Sequence, residues 1–136
     1  MDFNWPAVLV GMLVFSFAGV ILYAPIHAWG RRWNQWSGFS RRANLVILFI
    51  GGLFAGFLLS TAMTHIIHTT VAQMDWSWMF ASIFLSFLLW LGIYGTSILV
   101  MGLHHKHHPK VMFLHLTNGL IAMLMVWITI VLFQML

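Results

Sequence analysis

Cysteine is absent from this chain of 136 residues. That excludes disulfides, thiolate metal centres, iron–sulfur ligation and thiol nucleophiles, and leaves histidine to carry any soft-metal chemistry. Carboxylates are nearly as scarce, with Asp2 and Asp75 making up the whole acidic complement of two. Carboxylate-rich di-metal centres and Asp/Glu proton relays through lipid fall with them. A Ser-His-acid arrangement lacks support because both acids sit at the margins of apolar runs, and no glycine-rich phosphate loop precedes a helix. Enzyme templates therefore fail, and a non-enzymatic role is the expectation. Charge of either sign covers 6% of the chain, against about 25% in soluble domains.

What fills the space is apolar: 62% of residues are hydrophobic and mean hydropathy is +0.95, which leaves membrane as the class. A helix needs about 20 largely apolar residues to cross a hydrocarbon core of about 30 Å. Four stretches meet this, at about 5–29, 43–69, 76–103 and 111–135, and in lipid each must be helical to satisfy its own backbone. The expected fold is all-α and integral to the membrane: an antiparallel four-helix transmembrane bundle in a single domain over 1–136. Asp2 is acidic and no basic residue precedes the first apolar run, so that run reads as a retained span rather than a signal peptide.

Orientation follows from the cations. Arg31, Arg32, Arg41 and Arg42 fall in the first loop, and Lys106 and Lys110 in the third. The positive-inside bias makes both loops cytoplasmic and both termini outward, as in a multi-pass protein of a bacterial inner membrane. Net charge +4 and pI near 10.4 then need no nucleic acid. RNA is the rival reading of arginine beside tryptophan, but a lipid partner explains both residue types. Trp5, Trp29, Trp33, Trp36, Trp76 and Trp78 fall at span ends, where headgroups are expected to hold them. The first loop, "HAWGRRWNQWSGFSRR", is expected to include a short segment on the inner surface, held by anionic lipid.

Small residues recur every four positions at Gly52, Gly56, Ser60 and Thr64, which lets another helix approach closely. Ser82 with Ser86, and Gly92 with Thr96, form a similar stripe. Pro6 suits a first helical turn, Pro109 precedes the fourth span, and Pro25 interrupts the inner end of the first, freeing a carbonyl. Counted at 1.5 Å per residue from the cytoplasmic ends, Tyr23 lies roughly 9 Å deep, Asn118 roughly 10 Å and Tyr94 roughly 14 Å. His27 and His115 sit nearer the surface, with Thr96, Ser97 and Thr117 close in height. Buried hydroxyls and amides need partners, so these side chains are expected to converge on one another and on the carbonyls loosened by Pro25. Interhelical glue explains such a cluster; a ligand or ion pocket at His27, Tyr23, Tyr94, His115 and Asn118 is the functional alternative.

Two further histidine groups stand out. His65 and His68 are one turn apart, with Asp75 following, and could hold a transition metal if a carboxylate or water completed the shell. "MGLHHKHHPK" places His104, His105, His107 and His108 around Lys106 in the third loop, where neutral imidazoles suit zinc, copper or nickel but the lysine repels a cation. Haem would need axial histidines on two helices, and His27 with His115 is the cross-helix pair at matching depth. No cofactor is the leading expectation, with metal or haem as alternatives. The ten methionines are scattered and suggest no copper relay.

The opening "NWPAVLVGMLVFSFAGVILYAPIHAWGRRW", together with "LLWLGIYGTS" and "FLHLTNGLIAML", resembles the bacterial family catalogued as domain of unknown function 1761. Leu22-Tyr23-Ala24-Pro25 stands in that family's aromatic-Tyr-x-Pro turn, with Leu22 replacing the usual Trp, and Gly30 and Trp33 follow. Asn118 matches a recurrent intramembrane Asn. The resemblance covers nearly the full length and implies a small four-span inner-membrane protein. It implies no activity, because none is established for the family. The leading functional expectation is a self-associating bundle or an accessory subunit of a membrane assembly, with a homo-oligomer or membrane-protein partner. A small channel or transporter using the inner-half polar cluster comes second, and a metal- or haem-binding protein third.

Overall fold

The computed structural model describes residues 4–26, 28–36, 45–104 and 108–135. Among them the chain forms five helices: α1 (Trp5–Tyr23), α2 (Ala28–Trp36), α3 (Leu45–Met74), α4 (Trp78–His104) and α5 (Pro109–Met135). Four of these, all but α2, are long and apolar enough to cross a membrane. Helix ends are set by local chemistry. Asn4 caps α1 by accepting from the Ala7 N–H at 3.1 Å, Ser77 caps α4 by accepting from Phe80, and His108 Nδ1 accepts from Lys110 N–H at the start of α5. Each occupies one of the orphan donors that a helix start leaves open.

The boundaries differ from expectation at two places. The first apolar run stops being helical at Tyr23, six residues early, because Ala24 precedes proline and takes the extended backbone that proline imposes on its neighbour (ψ 137). Pro25 thus ends α1 rather than kinking it. α3 runs on to Met74 and closes at Asp75, whose φ of 53 lies in the left-handed region that short polar side chains tolerate best after glycine.

The small-residue stripe finds its neighbour inside the chain. A Cβ on Gly52 would stand 3.0 Å from Ser16 Cα, and one on Gly56 2.8 Å from the Met12 carbonyl. Gly11 lies against Ser60 in the same seam, and Ser16 Oγ donates to the Phe49 carbonyl across it at 2.7 Å. The contacts run in reverse order along the two helices. α1 is also tied to α5 at both ends: Asn4 Nδ2 donates to the Phe133 carbonyl at 2.9 Å, and Tyr23 meets His115. The second stripe divides. Ser82 and Ser86 are buried, whereas Gly92 has open space around it and Thr96 is exposed.

An apolar core of Met63, Ile67, Val126 and Ile130, flanked by Trp78, Leu85 and Trp127, occupies the end nearer Asp75. The opposite end, which carries Arg31, Arg32 and Lys110, is called the basic end below. There α4 changes pitch: Trp90–Gly95 forms a π-helical turn. α3 packs against residues 78–89 of α4, while residues 90–104 pack on α5. α3 and α4 therefore part toward the basic end and leave a wedge between them.

Candidate functional site

The polar cluster assembles at the basic end from four helices. α5 supplies its centre. His115 and Asn118 are three residues apart and share a face of that helix; Asn118 is 1% exposed. His115 Nδ1 lies 2.9 Å from Tyr23 Oη at the end of α1, and its Nε2 accepts the indole N–H of Trp33 at 3.2 Å. Because indole is a donor only, a neutral His115 carries its proton on Nδ1 and donates it to Tyr23. The three rings pack edge to face or tilted, with Tyr23–Trp33 centroids 5.1 Å apart and Trp33–His115 centroids 5.8 Å apart. From the π turn, Tyr94 donates to the His115 carbonyl at 3.2 Å and Trp90 to the Leu116 carbonyl at 3.0 Å. Glycine at 119 makes this possible, since a Cβ there would overlap the Tyr94 ring.

Asn118 is approached from two sides. Its Oδ1 accepts the Trp29 indole N–H at 2.6 Å, which fixes the amide with its NH2 turned elsewhere. That NH2 is buried and turns toward the Tyr23 hydroxyl, which in turn pairs with Tyr94. Asn118 lines the wedge between α3 and α4, a cleft of about 640 Å3 that also meets Tyr23, Tyr94 and Ser97. Its remaining walls are aliphatic or aromatic, among them Phe15, Leu22, Leu48, Leu59 and Met123.

Tyr23, Tyr94, His115 and Asn118 are thus brought together as the sequence suggests, while His27 lies outside the described residues. Thr96, Ser97 and Thr117 do not join them. Each hydroxyl bonds a carbonyl of its own helix, at Leu91, Ile93 and Phe113 respectively, because a helical Ser or Thr reaches the preceding turn more cheaply than a neighbour. The carbonyls near Pro25 serve α2 instead: Asn34 Nδ2 donates to Gly30 at 2.8 Å and reaches Tyr23 O at 3.5 Å, and Arg31 donates to Ile26.

Trp29 and Trp33 are the members that sequence reasoning assigns to the headgroups. Both are drawn inward, and Trp33 is 9% exposed. The signal is present in "HAWGRRWNQW": Trp29 and Trp33 at i and i+4 lie on one face of α2, while Arg31, Arg32 and Trp36 are exposed. Gly30 lets the face close, since a Cβ there would overlap the Ala24 carbonyl. Lys110 Nζ sits 5.4 Å from the Trp36 ring centroid, stacking the start of α5 on the outer face of α2.

The metal candidates are spread out. His65 is exposed, and His68 packs edge-on against Trp78 at 5.8 Å. His104 closes α4 and His108 caps α5; His105 and His107 lie outside the described residues. No group of three or more metal-ligating side chains occurs among the described residues. For haem, both ring nitrogens of His115 are already engaged by Tyr23 and Trp33, so an axial bond to iron would have to displace one of them.

Searches for similar proteins found no matching family model, no matching curated protein and no matching solved structure.

Proposed function

We propose that this chain is a non-enzymatic multi-pass protein of a bacterial inner membrane that takes a neutral lipophilic molecule from the inner leaflet into the cleft between α3 and α4. The resemblance to the domain of unknown function 1761 family is compatible with such a protein and assigns it no activity. The observation that carries the reading is the cleft itself, about 640 Å3 between largely apolar walls, with Tyr23, Tyr94, Ser97 and Asn118 as its few polar lining residues. No charged side chain lines the cleft among the described residues, so the ligand is neutral at its buried end.

The membrane arrangement belongs to the same proposal: an antiparallel four-helix bundle with both termini outward. Its supports are the reverse-order contacts between α1 and α3, the ties between α1 and α5 at both ends, and the gathering of Arg31, Arg32 and Lys110 at one end. Conduction is less favoured than binding, because a channel would have to pass the packed core of Met63, Ile67, Val126 and Ile130.

A second reading, an accessory subunit or self-associating bundle, draws on a different observation. The stripe at Gly52, Gly56 and Ser60 is used up by α1, but Gly51 and Ala55 face the cleft and Gly51 has nothing within 4 Å. A helix of a neighbouring chain could approach there. Native mass spectrometry from membranes separates the two. Binding predicts a lipophile retained by the wild type and lost from Asn118→Leu. A fixed second chain that persists in Asn118→Leu supports the accessory reading, and a bare monomer in both proteins counts against each.

A further inference from the structure

Among the described residues, every arginine and lysine stands at the basic end, and none has a carboxylate to meet it. Arg31 and Arg32 are exposed on α2, and Lys110 is exposed at the start of α5. The sequence holds two acids, Asp2 and Asp75, and neither falls in the stretches that build this end, 22–36 and 104–116. The counter-charge has to come from outside the chain.

The cations are not evenly spread. Arg32 and Trp36 are four residues apart and share one face of α2. Lys110 reaches that face from α5, its Nζ lying 5.4 Å from the centroid of the Trp36 ring. An indole attracts an ammonium to its face without consuming an N–H bond, so Lys110 is positioned and still able to donate. Arg31 stands about 100° round the helix from Arg32, and it spends a donor on the Ile26 carbonyl at 3.2 Å. The helix start itself offers little: Pro109 has no N–H, and the amides of Lys110, Val111 and Met112 are already given to His108. Recognition at this corner rests on side chains, two cations from two helices flanking a Trp36 that is 37% exposed.

Height and charge together select the occupant. Lys110 is the second residue of a helix apolar enough to cross a membrane, which sets its ammonium at the water-facing boundary of that span, the level of lipid phosphates. Trp29 and Trp33 are turned into the bundle, so Trp36 is the tryptophan of α2 left for the headgroup layer. A zwitterionic headgroup brings a cation of its own and gains little from two more. A phosphodiester without an amine gains from both.

We infer that Arg32, Trp36 and Lys110 form a headgroup site for one anionic phospholipid of the leaflet at the basic end, its phosphodiester between the guanidinium and the ammonium. A lipid held there bridges α2 to α5 and adds an outer tie to the inner ones made by Trp29 and Trp33. The inference is independent of the cleft between α3 and α4 and of what occupies it.

The test titrates the purified full-length chain in mild detergent with phosphatidylglycerol, phosphatidylcholine of the same chain length, glycerol phosphate and a short single-stranded RNA, followed by native mass spectrometry and thermal unfolding. Phosphatidylglycerol is expected to saturate at one per chain, to bind at least tenfold more tightly than the other three, and to raise the unfolding midpoint as a ligand of the folded state does. Lys110→Gln and Arg32→Gln should each weaken it about fivefold, the share of one cation beside an anionic headgroup. Trp36→Leu leaves every charge in place and should weaken it about threefold, because Lys110 loses the ring that positions it. Arg31→Gln makes the same change of net charge one residue away and should cost less than about twofold. These positions are exposed, so without lipid all four variants should melt like the wild type, and lost binding is not lost folding. A loss in Arg31→Gln equal to that in Lys110→Gln would reveal diffuse attraction by net charge and overturn the site. Equal binding of phosphatidylcholine, glycerol phosphate or RNA would overturn an anionic lipid as the occupant, and unchanged binding in Lys110→Gln, Arg32→Gln and Trp36→Leu would place the lipid elsewhere.

Discussion

At the residue scale, the cluster is held largely by indole donors, which leave little choice to their partners. Three indoles and a phenol point at acceptors on α5, and because indole can only donate, the tautomer of His115 and the orientation of Asn118 follow from covalent chemistry. Trp29→Phe keeps the ring but strips the donor from Asn118 Oδ1. The expected loss is about 1–3 kcal/mol, the penalty for a buried acceptor without a partner, seen as a lowered midpoint of thermal unfolding in detergent. Gly119→Ala should be comparably harmful, about 1–3 kcal/mol for an overpacked contact, because the Tyr94 ring occupies the space its methyl needs. Gly92→Ala, with nothing within 4 Å, is the control: it should leave stability unchanged or raise it by up to about 1 kcal/mol through helix propensity. Equal melting of the two alanine variants would refute the packing of Tyr94 on α5. Polarity at matching height was enough to pick out Tyr23, Tyr94, His115 and Asn118 from the sequence. It misjudged Thr96, Ser97 and Thr117, since each of these hydroxyls is satisfied by a carbonyl of its own helix.

At the scale of elements, adjacent glycines separate what packs from what stays open. Gly52 lies in the seam against Ser16 and Gly51 faces the cleft. Gly52→Leu should therefore destabilise by about 1–3 kcal/mol or more by wedging α1 from α3, whereas Gly51→Leu should melt like the wild type; unfolding curves of the two variants in the same detergent check this. The four-residue recurrence of small side chains was legible as a contact surface, but periodicity carries no address, and the partner proved to be α1. The π turn at Trp90–Gly95 has no sequence signature of its own. It accompanies the divergence of α4 from α3, and wide turns of this kind occur often at functional sites. α2 makes a related point. Its tryptophans have the composition of an interfacial helix, and the break at Pro25 together with Gly30 folds their face inward.

For the whole molecule, a chain without cysteine is ready for single-cysteine topology mapping. Under the proposed arrangement, Asp2→Cys should react with an impermeant thiol reagent from outside intact cells, and Lys106→Cys only after the membrane is opened. Labelling of both positions from the same side would refute the orientation. Composition, run length and the clustering of arginine and lysine determined that this is a helical chain with four segments able to cross a membrane, because those properties depend on each residue's transfer free energy and hardly on its neighbours. Tertiary structure decided which polar groups find partners on another helix. The parting of α3 and α4, the inward turn of Trp29 and Trp33, and the anchoring of the Asn118 amide depend on distances between residues as many as 89 positions apart, and no local pattern of side chains encodes such a distance.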